Sequence, residues 1–300
     1  MTTPDLAALP QPLALAAHDA GAANILFGWL KAHPGLEVRA AMAGPARTIW
    51  ERDFPERPLS DVDAALDGAG QLLSGTGWAS LFEHGARLKA RALGLPTVAV
   101  VDHWVNYRQR FVRDEAELLP DEIWVSDPYA LDIAKAEFPG LTVRAFANLY
   151  LDAEVEAVRA LDAAQPLSDG QRVLYALEPI RLAWESDDAR PGEFQALDYF
   201  VSRLDALGIP ADAPIRLRPH PSDPPGKYDA WIAGQAGLDV ALAPEEAISE
   251  AVHWASTIAG CESYVLIIGV AAGRQVVSTL PPWGNALRLP HEAILRLRDL

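Results

Sequence analysis

The chain has 300 residues, half of them hydrophobic, a formal net charge of −16, one cysteine and a mean hydropathy of +0.04. That length exceeds what a single core serves well, so two domains are expected. The acidity excludes a nucleic-acid partner and a broad attraction to anionic lipid, since both need a net positive face. The lone Cys261 excludes an intrachain disulfide and suits a reducing, cytoplasmic setting. No secretory leader is expected at the N-terminus, and the longest apolar run, residues 264–272, is too short to span a bilayer.

In chain order, Leu13–Ala17 predicts a first strand. The small-residue loop His18-Asp19-Ala20-Gly21-Ala22-Ala23-Asn24 follows, then a helix through residues 25–30 and a strand at 37–44, which together make a βαβ unit. Next come a strand and turn at 71–77, a helix at 81–92, strands at 97–101 and 123–126, a helix at 128–138 and a strand at 142–146. Residues 152–167, rich in Ala, Asp and Glu, predict a connecting helix closed by a turn at Ser168-Asp169-Gly170. A second series then runs: strand 172–177, helix 194–207, strands 215–218 and 240–242, helix 246–255, strand 257–259, helix 264–272, strand 276–278. Such alternation implies parallel sheets wrapped by helices. The expected fold is α/β, two Rossmann-like domains with an interdomain cleft: residues 1–155 and 170–300, joined by a linker at about 156–169.

The sharpest local signal is Ile215-Arg216-Leu217-Arg218-Pro219-His220-Pro221-Ser222. His220 is fixed between two prolines at a strand's C-terminal end, where open α/β sheets bind ligands. Arg216 and Arg218 share one strand face. With His220 and Lys227 they form a local basic cluster suited to an anion, phosphate first. One α/β repeat later, Ala259-Gly260-Cys261-Glu262-Ser263 ends a strand and opens a helix, whose free amides and positive dipole end suit phosphate oxygens. Alone, Ser263 reads as an N-cap and His220 as a structural histidine. Their shared position at strand ends of one half favours a site.

Two Rossmann-like halves, a His-Pro dipeptide after a strand of the C-terminal half, and a later serine opening a helix resemble a known family. It is that of the GT-B glycosyltransferases using CMP-activated sugars, which includes bacterial sialyltransferases, polysialyltransferases and capsular Kdo transferases. The pattern covers most of the chain. The resemblance implies that His220, with Pro221, and Ser263 contact the nucleotide phosphate. Arg218, Gly260 and Glu262 flank them in the candidate binding set, and Glu178, closing strand 172–177 on the same edge, is a candidate for the ribose or base. A positively charged imidazole would stabilise the phosphate leaving group. The resemblance also implies a nucleotide-sugar substrate, no further cofactor, no metal, and a glycan, lipid-linked or protein acceptor in bacterial surface polysaccharide or glycoconjugate synthesis. Many of those enzymes carry paired serines or threonines where this chain has Glu262-Ser263.

In the related transferases an Asp or Glu of the first half deprotonates the acceptor hydroxyl. Asp19, with His18, stands where small residues including Gly21, running on to Asn24, let a ligand approach the backbone. Asp102, with His103, closes strand 97–101 and precedes Trp104, Asn106, Tyr107 and Arg108, a mixture suited to a sugar. Asp19 is set ahead as base, with Asp102 and His103 lining the sugar. Each has a structural alternative, Asp19 as a helix cap and Asp102 as a partner of loop amides. Ser74-Gly75-Thr76-Gly77-Trp78 is a second close-approach loop, with Gly75 and Thr76 as candidate contacts, and it lacks the dinucleotide fingerprint. Asp61-Val62-Asp63 reads as a helix start rather than a metal-binding pair, and no His/Cys cluster has zinc spacing. Two other readings stand beside the transferase: a nucleotide-sugar epimerase or hydrolase on the same architecture, and a catalytically silent nucleotide-binding subunit.

Overall fold

A computed structural model describes residues 1–77, 80–167, 170–184 and 188–300 of the chain. Loop residue Trp78 and the turn residues Ser168 and Asp169 lie outside the described residues. The chain divides into two compact units, Met1–Tyr150 and Leu151–Leu300.

In the first unit, β1 (Leu13–Ala17) is buried at every position, as a strand covered on both faces must be. It leads through α1 (Ala20–Lys31) to β2 (Val38–Met42). Residues 43 and 44, expected to end that strand, instead open α2 (Gly44–Asp53), because Pro45 in the first turn brings a preset helical φ. After α3 (Val62–Leu66) come β3 (Gln71–Ser74), α4 (Phe82–Ala92) and β4 (Thr97–Val100). A small antiparallel hairpin, β5 (Val112–Arg113) and β6 (Ala116–Glu117), precedes β7 (Glu122–Val125), α5 (Pro128–Glu137) and β8 (Thr142–Ala145). The sheet is parallel throughout, in the order β2-β1-β3-β4-β7-β8. The chain steps out from β1 to β2 and returns past β1 to β3, so the order reverses there. Ligands of open α/β sheets bind at such a reversal, beyond the strands' C-terminal ends.

The division between units falls inside α6 (Leu149–Ala164), so residues 156–164 of the expected linker are helical. The second unit contains β9 (Val173–Ala176), α7 (Gly192–Val201), β10 (Ile215–Arg218), α8 (Asp229–Ala233), β11 (Val240–Leu242) and α9 (Ile248–Trp254). It continues with β12 (Thr257–Gly260), α10 (Tyr264–Ala271), β13 (Gln275–Ser278) and β14 (Leu295–Arg296). The helix expected over 194–207 ends at Val201 and resumes as a 3-10 turn, Asp205–Leu207, stopped by Gly208 at φ 65°. The order β11-β10-β9-β12-β13-β14, again all parallel, reverses between β9 and β12. Tyr175, Leu197, Phe200, Leu217 and Val277 form its core between sheet and helices. No helix among the described residues is long and apolar enough to cross a membrane.

Candidate active site

At the reversal of the second sheet, Glu178 follows β9 and Glu262 follows β12. The Glu262 amide donates to Glu178 Oε1 at 2.6 Å. Burial pushes the Glu178 carboxyl up to about 7, against the pull of amide hydrogen bonds from Glu262, Ser263 and Cys261. The amides of Cys261, Glu262 and Ser263, expected beside a phosphate, thus already serve an internal carboxylate, just ahead of α10, whose positive end favours an anion. Ser263 Oγ accepts from the Val265 amide at 3.3 Å as the N-cap of α10. Glu262 is buried and committed to Arg288, which donates from Nε at 3.1 Å and Nη2 at 2.6 Å. Gly260 is paired on both sides within the sheet, and its carbonyl accepts from the Thr279 amide at 2.8 Å.

The loop carrying His220 starts beside the one carrying Glu178, since the Leu177 amide donates to the Arg218 carbonyl at 3.0 Å. The Ser222 amide donates to His220 Nδ1 at 3.2 Å, and Ser222 Oγ lies 2.8 Å from the same atom. Nδ1 is thereby an acceptor and the proton sits on Nε2. Burial pushes the imidazole below its usual 6.5, against the pull of the Asp223 charge, which disfavours the expected imidazolium.

Asp223 pins this loop. Its carboxylate accepts from the His220 amide (3.1 Å), Tyr228 OH (2.9 Å), Lys227 Nζ (2.8 Å) and Arg181 Nη1 (2.8 Å). Burial alone would raise its pKa, but these bonds outweigh it and hold the carboxyl below the usual range. Lys227 also pairs with the buried Glu193. The expected cluster of Arg216, Arg218, His220 and Lys227 therefore does not assemble. Lys227 is engaged by Asp223 and Glu193. Arg216 lies 3.9 Å from the centre of the Trp254 ring, and Arg218 Nη2 donates to the Glu246 carbonyl at 3.1 Å. Pro221 is exposed beside His220.

In the first unit the reversal lies between β1 and β3. Asp19 is the N-cap residue of α1 yet makes no side-chain capping bond. Its Oδ1 lies 2.6 Å from His18 Nδ1, and its side chain is 37% exposed. The His18 amide donates to Glu83 Oε1 at 2.9 Å. Glu83 is fully buried, and burial pushes its pKa up, with the Asp19 charge adding to the rise and the His18 amide opposing it. A side chain on Gly77 would collide with Asp19 Oδ2, and one on Gly21 with the Asp102 carboxylate; Gly75 likewise lies against Glu83. The small residues expected to admit a ligand at these positions thus admit the protein's own carboxylates.

Asp102 Oδ1 accepts from Arg110 Nη1 at 2.7 Å, and the same nitrogen donates to Thr76 Oγ1 at 3.1 Å. Thr76 is buried and donates to the Val100 carbonyl at 2.9 Å, so it braces the strands rather than facing a ligand. Trp104 and Tyr107, expected beside a sugar, are buried against α5, donating to Asp127 Oδ2 (2.8 Å) and the Ala130 carbonyl (3.4 Å). Arg108 pairs with Glu117. The His103 ring stands edge-on to Trp104 with centres 5.3 Å apart, and Asn24 lies partly exposed on α1.

Sequence reasoning missed Glu83, Arg87, Arg110, Arg181, Glu193 and Asp223. A signal existed for the first two. Residues 83, 86, 87 and 90 form one inward stripe of α4, so charged side chains there sit among core positions.

No family model matches the chain, and no curated protein does. Solved structures do match. The chain is similar to S. aureus MnaA in its UDP co-structure, at 10% identity over 89% of this chain and 79% of that one, with a TM-score of 0.61. It is similar to Neisseria meningitidis UDP-GlcNAc 2-epimerase bound to UDP-GlcNAc, at 11% identity over 89% and 81%, TM-score 0.55. It is also similar to Phytolacca americana UGT2 complexed with UDP-2-fluoro-glucose and pterostilbene, at 14% identity over 95% and 85%, TM-score 0.51. At these identities the likeness is one of fold. The fold is GT-B, with two Rossmann-like, parallel-sheet domains.

Proposed function

We propose that the chain is a metal-independent glycosyltransferase that moves a sugar from a nucleotide-activated donor to a glycan, lipid-linked or protein acceptor. His220 carries this reading: an imidazole whose Nδ1 is held by Ser222 keeps its Nε2–H for a ligand at the C-terminal edge of β10. The second unit is assigned the nucleotide and the first the acceptor. In the step proposed, Asp19 takes the proton of the acceptor hydroxyl as that oxygen bonds to the anomeric carbon. The bond from that carbon to the donor phosphate breaks, and His220 Nε2–H hydrogen-bonds to the departing phosphate oxygen. Asp19 is preferred to Asp102 because its side chain is 37% exposed against 18%, and Asp102 is already paired with Arg110. The His-Pro resemblance favours a CMP-sugar, and the nucleotides named in the similar structures are uridine nucleotides. No cofactor beyond the sugar donor is assigned, and the setting proposed is bacterial surface polysaccharide or glycoconjugate synthesis on the cytoplasmic side.

A second reading, an epimerase or hydrolase of nucleotide sugars, is favoured by the UDP-GlcNAc 2-epimerase among the similar structures. It consumes its donor without an acceptor. Nucleotide release from CMP- and UDP-sugars, measured with and without acceptor glycans, separates the two. Acceptor-dependent release supports transfer, and acceptor-independent turnover supports the second reading. Binding with no turnover under either condition means a silent nucleotide-binding subunit.

A further inference from the structure

Glu83 lies fully buried in the first turn of α4, and the transfer step above leaves it unused. Its Oε1 accepts from the His18 amide at 2.9 Å and so pins the turn that carries Asp19. Its Oε2 is buried with no hydrogen-bond partner. That oxygen faces Asp19. A side chain on Gly77 would meet Glu83 Oε2 at 2.9 Å and Asp19 Oδ2 closer still, so the two oxygens converge on one point. Asp19 Oδ1 is already engaged by His18 Nδ1, which leaves Oδ2 to take a proton. Two acceptors that face each other in a buried site are costly, and a proton on either gives the other its missing donor. Burial and the Asp19 charge push the Glu83 carboxyl up, against the His18 amide and the Arg87 charge, as in other carboxylates that share a site. The remaining charged groups around this edge have partners of their own. Arg87 Nη1 donates to Ser74 Oγ (3.0 Å) and the Gly75 carbonyl (2.7 Å), Arg113 Nη2 to the Gly77 carbonyl (3.0 Å), and Asp102 pairs with Arg110.

We propose that Glu83 is a positioning residue for the Asp19 base, and that the two carboxylates hold the proton taken from the acceptor between Glu83 Oε2 and Asp19 Oδ2. The inference rests on Asp19 as base in the transfer proposed above. As the acceptor O–H bond breaks and its oxygen bonds to the anomeric carbon, the proton passes to Asp19 Oδ2 and hydrogen-bonds to Glu83 Oε2. It leaves to water from the partly exposed Asp19 once the product departs. Glu83 thereby strengthens Asp19 as a proton acceptor without touching substrate.

NMR titration of carbon-13-labelled Asp and Glu carboxyls, with the Asp19 signal assigned through Asp19→Asn, tests the pair without turnover. In wild type that signal should show two inflections, one for each proton the pair takes up, and in Glu83→Gln a single one at lower pH. In a transfer assay, Glu83→Gln should lower kcat about tenfold or more and leave KM nearly unchanged. The acid limb of its pH–rate profile should move to lower pH. Gly77→Ala puts a methyl group between the two oxygens and keeps Glu83 with its bond to His18. It should give the same changes even where Glu83→Gln does not fold. A single inflection in wild type overturns the pair and leaves the transfer reading standing. So does an unmoved acid limb in either folded variant, with only the melting temperature lowered, which is what a purely structural glutamate predicts. Two inflections without transfer to any acceptor support the pair and count against the transfer reading instead.

Discussion

The Glu178 carboxylate and the Glu262 amide, 2.6 Å apart, tie together the ends of the two strands that flank the reversal of the second sheet. An acid thus stands at the helix start where this kind of fold receives a ligand's phosphate. A phosphate approaching those amides meets a group that is charged above about pH 7 and neutral below it.

Nucleotide affinity is therefore expected to fall as pH rises from 6 to 8 in the wild-type protein, and to lose most of that dependence in Glu178→Gln. Titration of CMP and UDP at three pH values checks this. Stability should move the same way. The folded-state pKa of about 7 lies above the 4.5 of the free group, so the folded protein binds more protons between those values. Stability then decreases as pH rises through that window. Melting temperatures from pH 4.5 to 7.5 should fall less steeply in Glu178→Gln than in wild type. Parallel curves would show that Glu178 does not titrate there.

The two acidic candidates of the first unit should separate cleanly. Asp19→Asn leaves no buried charge behind, so it should fold normally while lowering turnover roughly 10²–10⁴-fold, the usual loss with a general base. Asp102→Asn strands the buried Arg110, which has Thr76 Oγ1 and the Thr76 and Val105 carbonyls as its remaining neutral partners. Leaving one member of a buried pair alone costs about 3–5 kcal/mol, so this variant should show its defect first in thermal stability. Equal loss of turnover in both, with both well folded, would count against Asp19 as the base.

Most of the scaffold was legible because a parallel strand covered on both faces reads as a short apolar run, as at Leu13–Ala17 and Val173–Ala176. Missed elements were short, such as α8 and β14, or hidden behind a glycine and a proline, as at the start of α2. The positions of Asp19, Asp102, Glu178, His220 and Ser263 at strand ends could be read from local pattern alone. Their partners could not, because Glu178 meets Glu262 across 84 residues and His18 meets Glu83 across 65. A basic composition around residue 220 also misled, since charge in sequence does not say that Lys227 is engaged by Asp223 and Glu193.

Catalysis should survive chelation. Asp61 Oδ1 accepts from the Ala64 amide at 2.8 Å as the cap of α3, and Asp63 pairs with Lys89 at 2.6 Å, so both have structural partners. Asp61→Ala should cost about 1 kcal/mol of stability through the lost cap and leave kcat unchanged. Turnover abolished by EDTA and restored by magnesium or manganese would reassign these carboxylates.

The functional proposal depends most on His220, whose variants should fold. Its ring is partly exposed, and its loop is pinned independently by Asp223 through the backbone amide. If Nε2–H donates to the nucleotide phosphate, His220→Ala loses one hydrogen bond to a charged group, worth roughly 1.5–3 kcal/mol or about one to two decades in affinity. Ser222→Ala should act more gently, because the Ser222 amide still donates to Nδ1 and fixes the tautomer. Stability supplies a second readout. The folded-state pKa lies below 6.5, so the unfolded chain binds more protons and wild-type stability should drop as pH falls below that value. His220→Ala should flatten this acid-side loss. A purely structural histidine predicts the opposite pair of results, a lower melting temperature at pH 7 with nucleotide affinity intact per folded molecule. Calorimetric titration of CMP and UDP into wild type, His220→Ala and Ser222→Ala, beside their melting curves at pH 5.5 and 7.5, decides between them.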